Sequence, residues 1–197
     1  MLTLENVRIE LGDFRLSADL SVAAGATVAI IGPSGAGKST LVNTIAGFIN
    51  PVSGRIQWGG QDLAGLSPGE RPMSIIFQDS NLFPHLSVFQ NVALGLRPSL
   101  KLSDSESGKV ADALASVGLA SLHDRKPAAL SGGQLSRVAL ARVFVRARPL
   151  LLLDEPFSAL GPALRNEMLD LVAELALRLL NRWRRARFCT VPVWRLA

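Results

Sequence analysis

"VAIIGPSGAGKSTLVNTIAGF", residues 28–48, decides the fold. Val28 to Ile31 is a short apolar run rich in β-branched residues, the pattern of a buried parallel strand. Gly32, Pro33, Ser34, Gly35, Ala36, Gly37, Lys38 and Ser39 then match G-x-x-x-x-G-K-[ST], and Thr40 follows. Leu41, Ile45 and Phe48 recur at helical spacing and are expected on one face. Strand, loop and helix stand in the order a phosphate-binding loop requires. Glycines let backbone N–H groups converge on phosphate oxygens where a Cβ would clash. The positive end of the helix faces the same anion. Lys38 can reach β- and γ-phosphates, and the Ser39 hydroxyl can ligate Mg²⁺.

Three further stretches carry chemistry. In "LSGGQLSRVALARVFV", residues 130–145, Ser131 is an N-cap candidate for a helix from about Gln134 to Arg146. Val138, Leu140 and Ala141 are among its apolar positions, and Gly132 and Gly133 make its start a second anion site. "PLLLLDEPFSALGP", residues 149–162, reads as a buried strand over Leu150 to Leu153 with two acids at its carboxyl end. That end is where ligands bind in parallel α/β sheets. Asp154 is suited to hold Mg²⁺ through water. Glu155 is suited to act as general base on an attacking water. Between the phosphate loop and these two stretches lies "MSIIFQDSNLFPHLSVFQNVALGL", residues 73–96, with a strand expected over Ser74 to Phe77 and Gln78 directly after it.

Taken together, the phosphate loop, "LSGGQ" and the strand ending in Asp-Glu resemble the ATP-binding subunit of ABC transporters. The resemblance implies an α/β P-loop fold with a mainly parallel sheet, an antiparallel N-terminal β region and a helical subdomain at about 79–145. It implies an ATPase working as a homodimer. Residues 32–40 of one chain and Ser131, Gly132, Gly133 and Gln134 of the other would enclose each ATP. It assigns Gln78 to Mg²⁺ and the attacking water, beside Ser39 and Asp154. It makes Asn81 to Val92 the groove that receives integral membrane permease subunits, with a periplasmic solute-binding protein as indirect partner. "FINPVSGRIQWGGQDL" and the stretch around the groove resemble the importer branch. "NLFPHLSVFQNVALGLRPSLKLS" and "LLLLDEPFSALGPALRNEML" look like the bacterial thiamine importers. Importers of iron, sulfate or polyamines use nearly the same engine. The family often stacks adenine on an aromatic of the first hairpin, where only Phe14 is available. A core or edge-strand role for Phe14 stands equally beside that one.

Composition bounds the alternatives. The 197 residues fit one domain, and 48% are apolar. One Cys excludes a disulfide framework and a cysteine metal cluster. No apolar run reaches the roughly 18–20 residues of a membrane span. The start, "MLTLENVRIELGD", has acids where a signal peptide has a basic region. The expected location is the cytoplasmic face of the bacterial inner membrane. The net charge is +5. Six of the 21 basic residues lie in 176–197, which hold no acid; the remainder sets fifteen basic residues against sixteen acidic ones. The body is thus near neutral, which argues against a nucleic-acid partner. The long coiled-coil insertions of DNA-repair relatives are also absent.

Two departures from the family pattern stand out. The usual Ser-Ala-Leu-Asp reads Ser158, Ala159, Leu160, Gly161, which removes a carboxylate that couples the two ATP sites. The family places a switch His after a further strand, whereas both His residues, His85 and His123, precede Asp154. His85 reads as a structural residue of the groove. The ABC domain is expected over 1–175, and the basic, aromatic ending at 176–197 reads as out of frame or truncated. A membrane-surface helix in "LALRLLNRWRRARF" is the rival reading. An ATP-binding chain without turnover is the rival functional reading.

Overall fold

The computed structural model describes residues 1–182 and 194–195. The chain divides into two compact units, one holding Met1–Met73 and the last strand, the other Ser74–Arg182.

The first unit opens with β1 (Leu2–Leu11) and β2 (Phe14–Val22), an antiparallel pair. Its side-chain alternation slips once. Leu2 and Leu4 are buried, then Val7 and Ile9, so one extra residue sits between the two phases. Asn6 absorbs it with φ 48°, and its N–H donates to Asp19 Oδ2 at 3.2 Å. The register shifts at the same place, as a β-bulge demands. After β3 (Ile30–Ile31) and α1 (Lys38–Ala46), β4 (Ser53–Trp58) returns antiparallel to β1. Gly59 and Gly60, both with positive φ, turn the chain into β5 (Gln61–Asp62). Two successive positive-φ residues are what a tight hairpin needs.

The helix α1 ends where Gly47 adopts φ 91°. Phe48 N–H then reaches the carbonyl of Asn43 and Gly47 N–H that of Thr44, a Schellman closure. Phe48 therefore leaves the helix face and is 54% exposed, unlike Leu41 and Ile45, which are buried as expected. Arg71 seals this helix end. It is buried, and Nη1 donates to the carbonyls of Thr44 and Ile45 at 3.0 and 2.7 Å. A cation there opposes the negative end of the helix dipole. Burial lowers its pKa, with Asp62 acting the other way.

The second unit contains β6 (Met73–Ile76), which begins at the boundary, then α2 (Val88–Ala93), α3 (Asp104–Ser116), α4 (Gly132–Arg146), β7 (Leu150–Leu153) and α5 (Pro162–Arg182). Its core joins Val88 and Val92 of α2 to Val110 and Leu114 of α3 and to Val138, Leu140 and Ala141 of α4. Met168, Val172 and Leu175 bring in one face of α5 at helical spacing. Among the described residues, no helix is long and apolar enough to cross a membrane.

The expected parallel sheet is present in two short pieces. β6 lies beside β7, and β3 pairs in parallel with β8 (Trp194–Arg195). The strand expected over Val28 to Ile31 is only two residues long, and Ile31 is exposed rather than buried. A strand is as long as its ladder, and among the described residues Ile30 and Ile31 meet only Trp194 and Arg195. The out-of-frame and membrane-surface readings of the ending fall mostly on 183–193, outside the described residues. So does most of "RFCTVPVW".

Candidate nucleotide site

The phosphate loop lies wholly in the first unit. Gly35 and Gly37 take φ 82° and 87°, a backbone conformation side chains resist. Ala36 N–H closes a turn on the Pro33 carbonyl at 3.3 Å. Lys38 folds back over the loop and donates through Nζ to the carbonyls of Gly32 and Pro33 at 3.1 and 2.9 Å. Its ammonium is thus held above the loop with a third proton to offer. Gly37 is the N-cap of α1 with no side-chain cap, and the positive end of the helix faces the loop. Ser39 and Thr40 sit in that turn. This donor set, all N–H and ammonium, fits a polyphosphate. Phe14 packs against Gly37: a Cβ there would stand 2.5 Å from the Phe14 ring. Sequence spacing left Phe14 open between two roles, and its half-buried ring lies against the phosphate loop.

Gln78, Asp154 and Glu155 lie in the second unit. Asp154 N–H donates to the Ile76 carbonyl at 3.0 Å. The bond joins the last residue of β6 to the first residue past β7, so both chains leave the strands at the same end. Gln78 and the two acids therefore follow the same ends of paired strands. Glu155 has φ 45° and precedes Pro156, a strained position for a non-glycine residue. Two anchors hold it. Phe157 is buried. Arg165 of α5 donates to the carbonyls of Phe157 and Ser158 at 3.3 and 3.0 Å. Gln78 and Asp154 carry an amide oxygen and a carboxylate, oxygen donors of the kind that suits Mg²⁺.

The signature segment also lies in the second unit. Ser131 caps α4, which starts at Gly132, two residues earlier than periodicity suggested. Gly133 is buried because α5 comes close; a Cβ would meet Leu164 Cδ2 at 2.8 Å. Gly132 has no such clash, its nearest neighbour being Leu160 at 3.7 Å. Gly161 accepts from Arg165 N–H at 2.9 Å and so occupies the N-cap position before Pro162, with nothing near its missing Cβ.

The groove segment is built on one buried side chain that sequence reasoning missed. Asn91 accepts from Phe83 N–H at 2.8 Å and donates to the carbonyls of Phe83, Leu86 and Ser87. Phe83 is left 46% exposed, with the His85 ring edge-on at 6.0 Å. His123 has a local role, its Nδ1 3.0 Å from the Ala120 carbonyl.

Residues 16–158 match the ABC transporter family. The chain belongs to that family. Its relatives include the thiamine import ATP-binding protein ThiQ of Jannaschia sp. (strain CCS1), 59% identical over 89% of this chain and 76% of that one. The ThiQ of Vibrio cholerae is 55% identical over 89% of this chain and 74% of that one. Among solved structures, cbiO1 from Clostridium perfringens, part of the ABC transporter complex cbiONQ, aligns with a TM-score of 0.79 and 31% identity over 98% of this chain and 76% of that one. The ATP-binding cassette MJ1267 has the same fold, with a TM-score of 0.83 at 24% identity over 100% of this chain and 87% of that one. This ABC chain is thus an ATP-binding cassette, the ATPase component of a transporter.

Proposed function

We propose that this chain hydrolyses ATP to drive thiamine import, as the nucleotide-binding subunit of an ABC importer. One observation carries the choice of cargo: 53–59% identity over most of the chain to proteins named for thiamine import. The ABC domain spans 1–175, with a helical subdomain at about 79–145. Two copies enclose each nucleotide between residues 32–40 of one and 131–134 of the other. The backbone N–H groups of the loop and Lys38 bind and orient the phosphates. Ser39, Gln78 and Asp154 would hold Mg²⁺, which would supply positive charge against the phosphates. Glu155 takes a proton from the attacking water at its carboxylate. Gln78 orients that water. Exposed Phe83 and His85, braced by Asn91, present the Asn81–Val92 segment to the permease at the cytoplasmic face of the membrane. A periplasmic solute-binding protein delivers the cargo.

Uptake by vesicles carrying this chain and its permease tests the cargo. ATP-dependent thiamine accumulation that Glu155→Gln abolishes supports it. Accumulation of sulfate, iron or a polyamine in its place refutes it.

A further inference from the structure

Arg142 stands in the last third of α4, ten residues past Gly132. Its Nη1 donates to the Asn81 carbonyl and its Nη2 to the Ser80 carbonyl, both at 2.9 Å. Two neighbouring carbonyls are gripped by one planar fork, a geometry that fixes orientation as well as distance. Asn81 has φ 46°, a backbone conformation that few residues adopt unless held there. Burial lowers the Arg142 pKa, so the guanidinium is partly stripped of water. Among the described residues it makes no ion pair with a carboxylate. The half-buried cation is spent on two successive backbone carbonyls, which clamps the loop to α4. The helix carrying it is pressed against the same region: a Cβ on Gly95, just past α2, would meet the Arg142 carbonyl and Val145 Cγ1.

The clamped carbonyls belong to the segment that starts at Gln78. Asn91 grips the far end of the same segment at Phe83, Leu86 and Ser87. The near end is tied to β7 through Ile76 and Asp154. The segment between Gln78 and α2 is thus held from both sides, and Arg142 links it by a side chain to α4, the helix that Ser131 caps.

We propose that Arg142 is a positioning residue that makes the backbone after Gln78 and the signature helix move as one body. This rests on the ATPase reading above. A displacement imposed at Phe83 then shifts Gln78 and Ser131–Gln134 together.

The test uses the full chain with Arg142→Gln and Arg142→Lys, read by steady-state ATP hydrolysis, hydrogen exchange and thermal melting. The glutamine variant should lower kcat roughly tenfold with KM for ATP unchanged, since misplacing a positioned group by a fraction of an ångström has effects of this size. Exchange should speed up at residues 79–83 and also at 131–135, with the melting midpoint and exchange in the first unit as in wild type. The lysine variant keeps the charge but offers a single donor nitrogen in place of the fork, and should recover part of kcat. Unchanged kcat, a rise in KM together with a fall in midpoint, or loosening confined to 79–83 would each overturn the proposal. A wild-type chain that turns over no ATP would count against the ATPase reading instead. The exchange at 131–135 in the glutamine variant would then decide this one alone.

Discussion

Ser131 and Gln134 lock each other across the first turn of α4. Ser131 N–H donates to Gln134 Oε1 at 2.9 Å, and Gln134 N–H donates to Ser131 Oγ at 3.4 Å. In this capping box the serine oxygen serves as acceptor, while its own O–H stays free to donate. The two signature residues proposed to meet phosphate are therefore preorganised in the single chain. Gln134→Glu should keep the box and the melting midpoint, yet place a negative charge where the second copy presents its nucleotide. We predict that it abolishes ATP-induced dimerisation in a Glu155→Gln background, measured by size-exclusion with light scattering. Ser131→Ala should cost about 1 kcal/mol of stability as well.

Lys38 is held by two carbonyls at the loop surface, so its removal should barely affect the nucleotide-free fold. Lys38→Ala should weaken ATP binding by at least about tenfold, the scale of one charge-assisted hydrogen bond. Isothermal titration beside a nucleotide-free melt separates the two effects.

The contact between Phe14 and Gly37 combines a steric term with a backbone term. Gly37→Ala meets the Phe14 ring and also forces a side chain onto φ 87°. Phe14→Ala should relieve the first term only. In a double-mutant cycle, Gly37→Ala should therefore destabilise less in the Phe14→Ala background, with a residual of about 1 kcal/mol from the strained backbone. Denaturant melts of the four proteins give the comparison.

Sequence patterns exposed the glycine loop, the capped signature helix and the acid-ending strand because each rests on local chemistry at fixed spacing. The clamps were invisible for the opposite reason. Arg71, Arg142 and Arg165 act on backbone carbonyls, which leave no trace in residue identity at the accepting positions. Asn91 belongs to no motif, yet it organises a whole loop. Phe48 was misplaced on the face of α1 because the left-handed turn at Gly47 ends the helix first. Phe14 could not be assigned from spacing, since its place beside Gly37 depends on tertiary packing.

Gly161 offers a repair. It fills an N-cap position with open space around it, so Gly161→Asp should be accepted without clash. It should add a few tenths of a kcal/mol through capping. The restored carboxylate should also raise the cooperativity of hydrolysis in ATP, read from the Hill coefficient of the rate.

Glu106 reports on acid sensitivity in α3. The Ser103 backbone N–H, first of all, and then Arg97 hold its carboxyl down to about 2. A depressed folded-state value contributes stability that is complete above the ordinary carboxylate pKa and is lost as pH falls toward 2. Glu106→Gln keeps the capping box but not the Arg97 pair. Its melting midpoint should lie below wild type at pH 7 and converge with it between roughly pH 4 and 2.

On the reading above, this chain turns over ATP with Glu155 as base. Steady-state Mg·ATP hydrolysis, measured beside Glu155→Gln with nucleotide binding followed in both, tests it most directly. The wild type should turn over ATP, the variant should not, and the two should bind nucleotide equally. Nucleotide binding by both with turnover by neither would contradict it and leave an ATP-binding chain that does no work.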